Sequence, residues 1–295
     1  MFHTIAYCLF LLSLSQVTAW DPSNFTFNPG DNYEIVWQDE FENVGPIKAT
    51  INGQPAYSPN PENWVFYNMM DGGLQHYVDS IYNAYVQNNQ LTLVVNEPPL
   101  YNSSCLTSED LQEFTYGVFA AKIRLLYGKG LWPAWWLLGH DSKYGLRWPT
   151  TGEIDILEMW GGSQQPNYTD QFAHGTLHFN NQSYSMNPCI HTGIGQFWQP
   201  PDNSSLHNHS LVYWAGWTPT KLNIGVNEFV HFQLNSTAVP NSIEPPAALS
   251  GLFPYFMRLN IAITQYAPGP PDASVTWPQQ MIVDWVRVYQ EKKPH

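Results

Sequence analysis

Between Tyr33 and Gln290 the chain never sustains a helical period beyond a single turn. Strand-length apolar runs recur instead, each closed by Gly, Pro, Asn or Asp. Asn83-Ala-Tyr-Val-Gln and Gln90-Leu-Thr-Leu-Val-Val flank Asn88-Asn89, a pair that tolerates positive φ, and together read as a β-hairpin. With 24 Pro and 20 Gly and only 12% charged side chains, the chain has turns in abundance and enough apolar material for a core. These features predict an all-β sandwich or barrel. Neither a dividing linker nor an internal repeat interrupts the pattern, so residues 20–295 are expected to form one domain.

One strand-like run carries chemistry. Residues 152–159 read Gly-Glu-Ile-Asp-Ile-Leu-Glu-Met, placing Glu153, Asp155 and Glu158 among apolar neighbours. Alternation puts Glu153 and Asp155 on one face of a strand, whereas Glu158, an odd number of steps away, points to the other. A β-bulge, one extra residue, restores Glu158 to the same side, and bulges are enriched beside active sites. Clustered acids raise each other's cost of ionisation, so a pair can hold one proton at neutral pH. Retaining glycoside hydrolysis uses such a pair, one carboxylate as nucleophile and one carboxylic acid as proton donor. Four regular strand steps span roughly 13 Å, against about 5–5.5 Å between retaining carboxyls. The motif therefore predicts a curved sheet with its acids in the hollow. A surface strand with a solvated acidic face is the plainer alternative.

Aromatic side chains could hold a sugar there. Trp132, Trp135 and Trp136 cluster in Gly-Lys-Gly-Leu-Trp-Pro-Ala-Trp-Trp, and Trp148 precedes the acidic run by five residues. Apolar walls with a few placed polar groups suit a sugar ring. Adjacent Trp135 and Trp136 face opposite ways in a strand, so only one can line a cleft. His174 and His178 would share a strand face, but no third residue completes a zinc site. Near the C-terminus, Met281-Ile-Val-Asp-Trp-Val-Arg-Val-Tyr places Asp284 on a face with Ile282, Val286 and Val288 by simple alternation. A carboxylate among aliphatics needs a partner: Arg258, backbone amides, or a hard cation such as Ca²⁺.

Composition excludes other classes. Lys and Arg number 11 against 24 acids, a formal charge of −13, so the basic footprint that nucleic-acid phosphates require is missing, and an anionic membrane surface is disfavoured. The apolar run Ile5–Leu14 is too short to span a bilayer, and Val17 and Ala19 suit a signal-peptidase site. Residues 1–19 are therefore expected to be a signal peptide and the protein a secreted monomer. Sequons at Asn24, Asn102, Asn167, Asn181, Asn203, Asn208 and Asn235 agree with a secreted glycoprotein. Cys8 departs with the signal, leaving Cys105 and Cys189 as an even pair for one disulfide, or as two buried thiols.

The residues in order resemble glycoside hydrolase family 16, specifically its laminarinase-like endo-β-1,3-glucanases. The resemblance runs through Trp37-Gln-Asp-Glu-Phe, Tyr116-Gly-Val-Phe and Gly128-Lys-Gly-Leu-Trp-Pro-Ala-Trp-Trp-Leu-Leu. It continues through Trp148-Pro-Thr-Thr-Gly-Glu-Ile-Asp-Ile-Leu-Glu, Gly175-Thr-Leu-His and Trp277-Pro-Gln-Gln-Met-Ile-Val-Asp-Trp-Val-Arg-Val-Tyr. It implies a jelly roll of two curved antiparallel sheets with substrate in the concave face. It also implies Glu153 as nucleophile, Glu158 as acid/base and Asp155 as the assisting carboxylate. Trp132, Trp136, Trp148 and His178 match cleft residues. Asp284 matches a ligand of a structural Ca²⁺ found in some members, and no cofactor is required for catalysis. Departures are Val118 and Ala120 where the family commonly has Arg and Glu, Thr264-Gln265 in place of Gly-Gly, and Asp71-Gly72-Gly73 before Leu74-Gln75. The expected activity is hydrolysis of β-1,3-glucan or mixed-linkage β-glucan through a covalent glycosyl-enzyme intermediate. A non-hydrolytic β-glucan recognition protein and a transglycosylase on the same fold are the alternatives.

Overall fold

The computed structural model describes residues 20–43, 45–68, 73–140, 145–162, 169–180, 191–235, 247–266 and 268–293. The proposed signal peptide lies outside them. Two eight-stranded antiparallel sheets enclose one continuous apolar core. The first sheet runs Phe229–Asn235, Lys221–Val226, Ser210–Trp217, Gly117–Arg124, Gln279–Glu291, Gln90–Val95, Ala84–Gln87, with Tyr33–Asp39 also paired to Gln279–Glu291. The second runs His191–Trp198, Ala173–Asn180, Glu153–Glu158, Leu131–Gly139, Tyr255–Ile263, Cys105–Thr107, Val65–Phe66, with Glu113–Phe114 also paired to Tyr255–Ile263. This is the expected jelly-roll sandwich. The predicted hairpin is present, with Asn88 and Asn89 at φ 54° and 56°.

Alternation sorts each strand between core and exterior. In Tyr255–Ile263, Met257, Leu259 and Ile261 join the core while Arg258, Asn260 and Ala262 line a hollow on the second sheet's outer face. Among the adjacent tryptophans, Trp135 is fully buried in the core and Trp136 faces the hollow.

The C-terminal strand overturns the simple alternation. Ile123 pairs with Val283 and Lys122 with Trp285, so Asp284 is an extra, bulged residue. Met281, Val283, Val286 and Val288 therefore all reach the core, while Asp284 turns outward. Its carboxylate accepts hydrogen bonds from Gln90 Nε2 (2.6 Å) and Ser210 Oγ (3.0 Å), with Lys122 Nζ at 3.5 Å. Arg258 is not its partner. The donor set does not suit Ca²⁺ either, since a hard cation gathers several oxygen ligands and repels an ammonium.

Val118 and Ala120 have a physical account. They lie on the outer face of the first sheet in a separate apolar cluster with Val212 and Tyr289, packed under Phe25, Phe27, Tyr33, Trp214 and Trp285. An Arg–Glu pair would be buried there, so the apolar substitutions match the lid that the N-terminal segment supplies.

Of the sequons, Asn203, Asn208 and Asn235 are exposed and Asn102 is half-buried. The side chain of Asn24, together with Asn167 and Asn181, lies outside the described residues. Cys105 is buried on the second sheet; Cys189 lies outside the described residues, leaving the disulfide untested.

Candidate active site

The acidic strand contains the expected bulge. Asp155 pairs with Thr176 and Glu158 with His174, so two residues on this strand, Ile156 and Leu157, oppose Gly175 alone. On the other side Trp136 pairs with Asp155 while Trp135 pairs with Leu157, which leaves Ile156 as the residue without a counterpart. Ile154, Ile156, Leu157 and Met159 are all fully buried in the core. Burying two consecutive apolar residues is what returns Glu158 to the face of Glu153 and Asp155.

Residues directly opposite one another share a face. The rungs Leu138–Glu153–His178–Gly193, Trp136–Asp155–Thr176–Gly195 and Ala134–Glu158–His174–Phe197 thus form the floor of the hollow. A cleft of about 800 Å³ opens over it, lined by all three acids and by Trp132, Trp136 and Trp148.

Each glutamate is held by one tryptophan. Trp132 Nε1 donates to Glu158 Oε1 and Trp148 Nε1 donates to Glu153 Oε2, both at 2.9 Å. His178 Nε2 stands 3.1 Å from Asp155 Oδ2 and 3.8 Å from Glu153 Oε1. His174 Nδ1 stands 3.8 Å from Glu158 Oε2, with its ring stacked on Phe197 at 4.2 Å. Burial pushes Glu153 well above the usual carboxylate range; Asp155 and Glu158 add to the push, while His178 and the Trp148 hydrogen bond oppose it. Asp155 is pushed well up too, first by burial and then by Glu158, against a hydrogen bond to Glu153.

Several cleft residues escaped the sequence reading. Trp136 Nε1 donates to Asn260 Oδ1 at 2.7 Å, and Asn260 Nδ2 donates to Tyr77 OH at 3.0 Å. Arg258 lies 3.9 Å from the Tyr67 ring centroid and donates from Nη2 to Glu109 Oε2 at 3.5 Å. A readable signal existed in Arg258, Asn260 and Ala262, spaced by two and interleaved with buried aliphatics. Trp160, 5.8 Å from Trp132 and 5.2 Å from His174 by ring centroids, extends the aromatic wall.

The sequence profile of glycosyl hydrolases family 16 matches residues 75–287. This chain belongs to that family. It is 30% identical over 281 residues to glucan endo-1,3-beta-glucosidase A1 of Niallia circulans, covering 88% of this chain but only 38% of that protein. It is 28% identical over 273 residues to a beta-glucanase of Rhodothermus marinus, covering 88% of this chain and 86% of that one. Among solved structures, the non-specific endo-beta-1,3(4)-glucanase SCLam superimposes with a TM-score of 0.70 at 25% identity, covering 92% of this chain and 95% of that one.

Proposed function

We propose that this family 16 member is a secreted, retaining endo-hydrolase of β-1,3-glucan and mixed β-1,3/1,4-glucan. The observation that carries the reading is the bulge, which gathers Glu153, Asp155 and Glu158 on the cleft floor with a tryptophan donor on each glutamate. In this mechanism Glu153 attacks the anomeric carbon and Glu158 gives its proton to the leaving oxygen; Glu158 then takes a proton from water as it releases the sugar. Glu153 and Asp155 are both pushed upward and hydrogen-bonded to one another, so together they retain a proton. The hydrogen bond from Glu153 favours the ionised form of Asp155, so Glu153 becomes the nucleophile once it gives up the shared proton. Trp132, Trp136 and Trp148 line the cleft and offer apolar faces to sugar rings. Secretion rests on the apolar run Ile5–Leu14 ahead of Val17 and Ala19.

The test is a panel of laminarin, barley mixed-linkage glucan and agarose, with reducing ends measured over time, products sized, and the first anomer identified by ¹H NMR. New oligosaccharides from the two glucans, released first as β-anomers, are expected. A folded protein that releases none, or an α-anomer appearing first, overturns the proposal. Agarose cleavage alone would move the substrate to a galactan.

A further inference from the structure

We propose that His191 is a positioning residue for hydrolysis: from the edge of the concave sheet it fixes which nitrogen of His178 faces the acids. The inference rests on the hydrolytic reading of those acids. His178 Nδ1 and His191 Nε2 lie 2.8 Å apart, with the two rings stacked at 5.0 Å and 24°. The opposite nitrogen of His178, Nε2, is the one that meets Asp155 at 3.1 Å and Glu153 at 3.8 Å. Trp148, which donates to Glu153, also packs on His191 at 4.7 Å between ring centroids. A continuous line of contacts therefore runs from the sheet edge to the acids.

The edge strand is shaped for this contact. His191, Gly193, Gly195 and Phe197 share the concave face of His191–Trp198. A Cβ at position 193 would sit 3.0 Å from His178 Nδ1 and 3.1 Å from its Cε1, tighter than side chains normally tolerate. Glycine there lets the His178 ring lie down along the edge strand until Nδ1 reaches His191.

The consequence follows from proton counting. A neutral imidazole carries one N–H, and its hydrogen-bond partner decides on which nitrogen. If His191 donates from Nε2, His178 accepts at Nδ1 and carries its own proton on Nε2, so the positive N–H edge of the ring lies beside Asp155 and Glu153 at 3.1 and 3.8 Å. If His178 donates instead, its Nε2 lone pair faces the acids, and an ionised oxygen there is repelled. A donor at 191 selects the first arrangement. Burial and the neighbouring His178 lower the proton affinity of His191, which favours the neutral ring that the scheme requires. Among the described residues, the titratable groups beside the pair are Asp155 and Glu153, on the far side of His178.

Two variants separate hydrogen bonding from packing. H191F keeps an aromatic ring against Trp148 but has no N–H, whereas H191Q has an amide N–H but no ring. The expected outcome on laminarin is a kcat lower by about 3- to 10-fold in H191F, the net effect of one neutral hydrogen bond. KM should be little changed, and most of the loss recovered in H191Q. In parallel, ¹⁵N NMR of histidine-labelled protein should place the His178 proton on Nε2 in the wild type and in H191Q, and show a tautomer mixture in H191F. A wild-type His178 proton on Nδ1 overturns the inference whether or not any glucan is cleaved. So does an H191F protein with unchanged tautomer and kcat, or an H191Q protein as impaired as H191F. Should H191F fail to fold, the wild-type spectrum and H191Q still decide.

Discussion

Deleting Ile156 tests the geometry on which the active site depends. It is the unmatched residue of the bulge, so removing it gives a regular strand in which Glu153, Asp155 and Glu158 alternate with Ile154 and Leu157. All three acids should remain on the cleft floor, and because Glu153 and Glu158 already oppose His178 and His174, four steps apart, their spacing along the strand should stay at roughly 13 Å. Ile156 is fully buried, so losing its side chain costs about 3 kcal/mol, or roughly 6–12 °C in melting temperature for a domain of this size. The control is I156A, which removes nearly the same buried surface while keeping the bulge. Both variants should melt cooperatively at similar temperatures. I156A should keep near-normal kcat on laminarin. The deletion should stay within roughly 100-fold of wild type, the scale on which misplacement of a catalytic group is felt. E158Q supplies the inactive benchmark. A deletion variant that melts cooperatively yet is as inactive as E158Q would refute the argument that face, set by residue count, is what gathers the acids.

Three further outcomes are expected. W132F removes the 2.9 Å donor to Glu158 while keeping an apolar surface, and should lower kcat by roughly 10- to 150-fold, the range for a hydrogen bond to a charged group; steady-state kinetics on laminarin checks it. W148F removes a hydrogen bond that favours the ionised form of Glu153, whose carboxyl already lies well above the usual range. In the proposed mechanism activity needs that ionised form and fails as pH falls through its pKa, so the acid limb of kcat/KM against pH should move to higher pH; a limb that moves down contradicts the assignment. Tyr213 is fully buried with no hydrogen-bond partner for its hydroxyl among the described residues, so Y213F should raise stability by about 1 kcal/mol in a urea melt, and a loss would reveal a hidden partner.

Much of this was legible in the sequence, and the failures share a cause. The bulge in the acidic strand could be inferred because its acids are chemically unlike their neighbours, so the break in alternation is visible by eye. The bulge at Asp284 could not. Met281 to Tyr289 offers apolar residues in both registers, and the pattern reads equally well with or without an insertion. His191–Trp198 does not read as a strand from sequence because Gly193 and Gly195 look like turn residues. Their absent side chains serve instead to accommodate His178, and His174 with Thr176, whose atoms a Cβ would meet at about 3 Å or less. Arg258 and His191 escaped for another reason: their roles depend on cross-strand neighbours distant in sequence.

Phe25 and Phe27 come shortly after the expected cleavage point, yet they roof the patch around Val118, Ala120 and Val212 on the far wall of the sandwich from the catalytic floor. A chain trimmed past Phe27 would keep Glu153, Asp155, Glu158 and every cleft tryptophan. It would also carry a bare oily spot, inviting self-association that an activity assay on fresh protein would not detect. Where such a chain is made to begin thus bears on its shelf life and solubility more than on its chemistry.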